Sequence, residues 1–339
     1  MAAGTHGGGN PSRRAPERAC EEVVFVKALG LHDWRASDVM VNGLHDAAEI
    51  LEMPPWEPSH PDEDPEGGSR PEPARPGGCG PSSLEELLGG WVERSKPKGD
   101  AYIILVTDLT DMKMGRVCLA GVDLRTMRDV RPTRGTSGLT LEDLEVAGGP
   151  IRPGCVLEFE PPGAGFDPQE PHLEDVPFHR DSAKVLGRIG PRTVNDFLRR
   201  IALPSLRDIY GPGMRGRWAM PREVGRSLGT LECSRVSLYK GYKEGWGGGS
   251  GRIRIRADIY ARSGETMRDL PFNDHLIRDY LQRAKDDGEL KERLREVNEE
   301  LNRGGNPIAR MGLTRPFAPY GIREPRCWLQ VNAVYPGEA

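Results

Sequence analysis

Residues 237–256, SLYKGYKEGWGGGSGRIRIR, combine two kinds of chemistry in one loop and its flanks. Tyr239, Tyr242 and Trp246 offer flat rings, and Lys240 and Lys243 stand between them as cations. Arg252, Arg254 and Arg256 then recur at every second position. On a strand such residues share a face, so their guanidiniums would stand about 7 Å apart while Ile253 and Ile255 point to a core. Rings that stack on bases and cations that meet phosphates are what a single-stranded polynucleotide needs. The same spacing also fits an ordinary amphipathic hairpin whose polar face is arginine, and both readings stand.

A second basic patch lies in GRVCLAGVDLRTMRDVRPTRG, residues 115–135. Arg125, Arg128, Arg131 and Arg134 follow a turn, and their planar donor forks suit phosphate or carboxylate. Asp123 and Asp129 are alternative partners inside the same stretch. Near the C-terminus, Arg310 and Arg315 flank the last strands; for Arg315, phosphate contact and a structural ion pair are both open. Trp328 reads as a core residue on CWLQV, with Gln330 on its side and Val331 on the other.

Catalytic frames are not visible. HLEDVPFH offers His172, Glu174, Asp175 and His179, but the spacing matches no metal motif and Pro171 and Pro177 mark a loop. There is no G-x-S-x-G elbow, no Cys/His arrangement, no P-loop and no strand-linked G-x-G-x-x-G. The expectation is a protein without cofactor or metal that is not itself an enzyme. A nucleic-acid-processing enzyme with an unassembled site stays open.

These residues need a scaffold, and the pattern is mostly of strands. YIILVTDL reads as a buried strand, followed by RVCLAGVDL, RDVRP and CVLEFEP with Pro/Gly turns between them. Val185, Leu186, Ile189, Val194, Phe197, Leu198 and Ile201 suggest helix over 181–210. A second strand-rich region follows in GRWAM, GTLECSRVSLYK, GRIRIRADIY, MGLTRPF and CWLQVNAVYP. It is interrupted at 274–303 by Leu290, Leu294, Val297 and Leu301 at helical spacing, with Gly288 separating two helices and Gly304 and Gly305 as the stop. The expected fold is mainly β with helical additions, an α+β chain of two OB-like small barrels.

The segments expected are a disordered tail at 1–20, a small apolar element at 21–56 and an acidic Pro/Gly linker at 57–81. A helix plus the first barrel follows at 82–180, a helical connector at 181–216 and the second barrel at 217–336. Charge is divided accordingly. The 339-residue chain has a net charge of −4, yet residues 1–100 hold 18 acids against 10 Lys/Arg, and residues 182–262 hold 17 Lys/Arg against 6 acids. A basic segment is the electrostatic mark of a polyanionic partner, although arginine is common throughout the chain. Six cysteines form no CxxC pair, and Cys118, Cys155, Cys233 and Cys327 sit among apolar neighbours. With no apolar run of membrane-spanning length, the expectation is a soluble, reduced, cytoplasmic protein without membrane contact.

RVCLAGVDLRTMRDVRP, RMGLTRPF and CWLQVNAVYP, with weaker landmarks in HLEDV and MRDLPFND, resemble the bacterial dual OB-containing domain family over about residues 100–336. The resemblance implies two adjacent OB-like barrels and nucleic-acid binding, DNA or RNA, in settings of antiviral defence or mobile elements. The helical insertion at 274–303 departs from the usual pattern. Together these readings make a non-catalytic nucleic-acid-binding module the first expectation. A protein–protein adaptor is the alternative, with a partner on the N-terminal region or the helical insertion.

Overall fold

Ten residues from Tyr102 to Asp111 alternate nothing: apolar and β-branched side chains run almost without break. Such a run is stable only as a strand covered on both faces. In the computed structural model this strand, β1 (Tyr102–Asp111), is buried from Ile103 to Thr110. The structure describes residues 89–93, 101–135, 138–163, 166–241, 254–319 and 321–337. The expected tail, apolar element and acidic linker of residues 1–81 lie outside them, as does most of the expected helix after Ser82.

The first sheet is built around β1. It pairs antiparallel with β2 (Val117–Asp123) and, on its other side, with β6 (Cys155–Phe159). β3 (Asp129–Thr133), β7 (Asp175–Pro177) and β8 (Lys184–Arg188) complete six strands in the order β7-β3-β2-β1-β6-β8. A two-stranded ribbon of β4 (Glu145–Val146) and β5 (Gly149–Pro150) sits beside it. Gly121 is required where β1 and β2 meet, because a Cβ there would lie 2.4 Å from the carbonyl oxygen of Leu105.

The second sheet runs β12-β11-β10-β13-β14-β9. Its strands are β9 (Trp218–Ala219), β10 (Leu228–Lys240), β11 (Ile255–Ala261), β12 (Thr266–Pro271), β13 (Ile308–Leu313) and β14 (Cys327–Tyr335). The sheet curls into a half-barrel, so that the end of β12 returns to β14 and Phe272 bridges Val331. Alternation is strict on β11, buried at Ile255, Ala257, Ile259 and Ala261 and more exposed between them.

The chain is thus mainly β with few helices. α1 (Pro191–Ile201) and α2 (Leu206–Tyr210) join the sheets; α3 (His275–Gln282) and α4 (Asp287–Asn302) form the insertion. Two expectations are corrected. Residues 184–188 are strand β8, paired with β6, because Val185 and Gly187 alternate with half-buried neighbours and continue a sheet edge. The helical stretch starts only at Pro191, a residue suited to a first helical turn. Gly288 does not divide the insertion: the break falls at 283–286, and Asp286 caps α4 by accepting from Glu289 N. Gly304 and Gly305 do end it, both at positive φ.

The two sheets share a core. Leu105 and Val122 of the first meet Val194, Phe197 and Leu198 of α1 and Ile308 of the second. Trp91 packs on Ile103 and Val156, and it fits only because residue 187 is glycine: a Cβ there would stand 2.3 Å from the indole.

Candidate nucleic-acid interface

The hairpin of rings and cations maps to the outer side of β10 and β11. Tyr242, Lys243, Trp246 and Arg252 lie outside the described residues. Of the other members, Tyr239 and Arg256 face each other on the outer side, whereas Lys240 pairs with buried Ile255 and so leaves β10 from the opposite face. Ile255 is buried, Arg254 exposed and Arg256 half-buried, as alternation requires.

Carboxylates meet this cluster. The Tyr239 hydroxyl donates to Asp258 at 3.1 Å and lies 3.4 Å from Asp269. Burial, then Asp258 and Asp269, push its pKa to about 12, so it remains a neutral phenol. Arg256 Nε is 3.4 Å from Asp269, and Lys240 Nζ is 2.6 Å from Asp287 at the start of α4. These pairs are open to water, where an ion pair is worth about 0–1 kcal/mol. They leave the cations able to exchange partners.

The site continues beyond the residues singled out above. Arg217, just before β9, reaches across the curled sheet to Asp269 at 3.9 Å and donates to the Arg268 carbonyl at 3.2 Å. Its neighbour Trp218 pairs with Trp328 of β14. The Arg326 guanidinium lies 3.8 Å from the Trp218 ring centre and that of Arg215 5.2 Å, both within cation–π range. Phe317 lies 6.1 Å from Trp328 and is 48% exposed. Tyr239, Arg256 and Arg217 thus meet at Asp269; Trp218, Arg326, Trp328 and Phe317 form a run of ring contacts; and the two groups adjoin where Arg217 precedes Trp218 in the chain. Trp328, expected in the core, is instead half-buried on the outer side with Gln330, and it is Val331 that is in the core. Arg-x-Trp at 326–328 and Arg-Trp at 217–218 were the available signals; that β9 pairs with β14 could not be read from them.

The first-sheet arginines do not join this surface chain. Arg125 donates to the Ala101 carbonyl and stands 3.7 Å from Asp123. Arg128 is exposed, and Arg134 pairs with Asp143 at 2.7 Å. Arg131 is a correction. Expected at phosphate, it is buried, with Nε 2.5 Å from Asp175 and Nη2 donating to His172 Nδ1 and Ser227 Oγ. Arg315 takes the other oxygen of Asp175, which is the structural ion pair left open above.

HLEDV is accordingly a clamp between the sheets. Glu174 accepts from the backbone N–H of Ser227 at 2.6 Å and Leu228 at 3.1 Å. Burial, then Arg131 and Arg315, hold the His172 pKa down to about 2, so the ring is neutral and accepts at Nδ1. No family model, curated protein or solved structure matches the chain. Among the described residues, no helix is long and apolar enough to cross a membrane.

Proposed function

We propose that this protein binds single-stranded or structured DNA or RNA without chemically altering it, using its two sheets as OB-like barrels. The observation that carries the reading is the continuous belt of guanidiniums and rings from Tyr239 to Phe317. Its arginines contact phosphates, and Trp218, Trp328 and Phe317 stack bases, at about 1–3 kcal/mol per stacked base. The basic composition of residues 182–262 and the resemblance to dual OB-containing domains support the same reading, including a cytoplasmic place in a defence or mobile-element system. Fluorescence anisotropy with labelled oligonucleotides at several salt concentrations tests it: affinity should fall steeply with salt.

One observation favours an adaptor instead. Asp258 and Asp269 sit in the middle of the belt, where they oppose phosphate and would suit a partner of mixed charge. Co-purification of a stoichiometric protein with no nucleic acid, together with no binding of oligonucleotide at low salt, would select that reading.

A further inference from the structure

We propose that a cavity between the first sheet and α3, lined by none of the belt residues, binds a small organic anion with an apolar body. The cavity measures about 420 Å³, inside the range of roughly 300–1,000 Å³ typical of ligand pockets. Its apolar lining comes from both halves of the molecule. Leu109 of β1, Leu144 and Ile151 contribute one side, and Leu276 and Tyr280 of α3 the other. Leu141, also on the lining, is 52% exposed.

Three nitrogen-bearing groups share that lining: Arg152, Arg283 and His275. His275 Nδ1 is held 2.7 Å from Asp111 Oδ1, which fixes the ring and leaves Nε2 without a hydrogen bond among the described residues. Asp111 also pairs with Arg278 at 3.3 Å. The hydrogen bond to Asp111 raises the His275 pKa against its partial burial, favouring the imidazolium. Two acids line the cavity too, Glu145 and Asp279, but Asp279 is already taken by Arg283 at 2.7 Å. An anionic head at Arg152 and His275, with an apolar body against Leu141, Leu276 and the edges of the buried Leu109 and Leu144, satisfies both kinds of lining. A neutral apolar molecule would leave the cations unused, and a bare anion would leave the apolar wall wet.

The test is isothermal titration of the full chain with 1-naphthoate and with adenosine monophosphate, and with inorganic phosphate alone. The two organic probes separate a carboxylate head from a phosphate head. At least one should bind at one site per chain, with phosphate alone about tenfold weaker or worse. Arg152→Glu changes an exposed side chain and should weaken the bound probe about tenfold or more, the worth of a charge-assisted hydrogen bond. His275→Gln should weaken it in the same direction, and the belt variant Arg217→Glu should leave it unchanged. Absence of binding by both probes at millimolar concentration overturns the proposal. So does unchanged affinity in both Arg152→Glu and His275→Gln, or loss in Arg217→Glu alone.

Discussion

Arg310 shows what a single side chain does here. It is fully buried on β13, yet it donates to Asp108 on β1 at 2.8 Å, Asp129 on β3 at 2.8 Å and Thr230 on β10 at 2.6 Å. Burial opposes its charge, but Asp108 and Asp129 outweigh that and keep it a guanidinium. Removing one partner of a buried pair leaves the other charge uncompensated, at about 3–5 kcal/mol. Arg310→Ala should therefore lower the free energy of urea unfolding by about that amount, and adding Asp108→Asn should restore part of it. The sequence placed Arg310 only as a cation flanking the last strands. Its carboxylate partners lie 181 and 202 residues away in the chain, and no local pattern announces such a pairing. Arg131 eluded the reading for the same reason: its fork matches Asp175 as well as it matches phosphate.

Among elements, α4 on β10 is the most instructive pair. The β10–β13 ladder ends at Glu232, which leaves the same edge of β10 bare beyond it. Two asparagines one helical turn apart cover it. Asn298 accepts from Leu238 N at 2.7 Å and donates to Leu238 O at 2.8 Å; Asn302 does the same for Val236 at 3.0 and 2.8 Å. Each side-chain amide stands in for a strand neighbour. Asn298→Leu should cost about 1–3 kcal/mol by orphaning two backbone groups, measured by thermal or urea unfolding. The apolar spacing of Leu290, Leu294, Val297 and Leu301 made the helix legible, whereas nothing in the spacing of Asn298 and Asn302 announces a strand edge as their partner.

The joint between α3 and β1 makes stability depend on pH. Asp274 caps α3 by accepting from Ile277 N at 3.0 Å. Burial raises its pKa from 3.8 to about 7, its two backbone hydrogen bonds opposing and nearby Asp108 adding to the rise. The folded state thus prefers the protonated acid, and its contribution is lost as pH climbs from 3.8 through about 7. His275, raised above 6.5, contributes in the same direction: its stabilisation is full below 6.5 and is lost as pH passes its folded value. The melting temperature should fall across this window. Asp274→Asn keeps the capping oxygen and removes the titration, so its profile should be flatter; an unchanged slope would contradict the assignment.

For the molecule as a whole, two six-stranded sheets are joined by a shared apolar seam, the Arg310 cluster and the Glu174–Asp175 clamp. Strand content, the bounds of the insertion and the face of Arg254 and Arg256 were readable because alternation and turn residues act locally. The strand β8 was misread because a short run such as VLGRI fits either period. The Trp218–Trp328 half of the belt was hidden because it rests on the two-residue strand β9 pairing with β14, more than a hundred residues on, and the Arg217–Asp269 link exists only once the second sheet curls. The central claim is that this belt holds a polynucleotide. Anisotropy titration of a labelled single-stranded oligonucleotide at 50 and 200 mM salt, with wild type and with Arg217→Glu/Arg256→Glu, reads this out. Tight binding at low salt, a steep salt slope, and a variant that binds at least about tenfold more weakly with a shallower slope are expected. Wild-type binding that ignores salt, or a variant that binds as well as wild type, would contradict it.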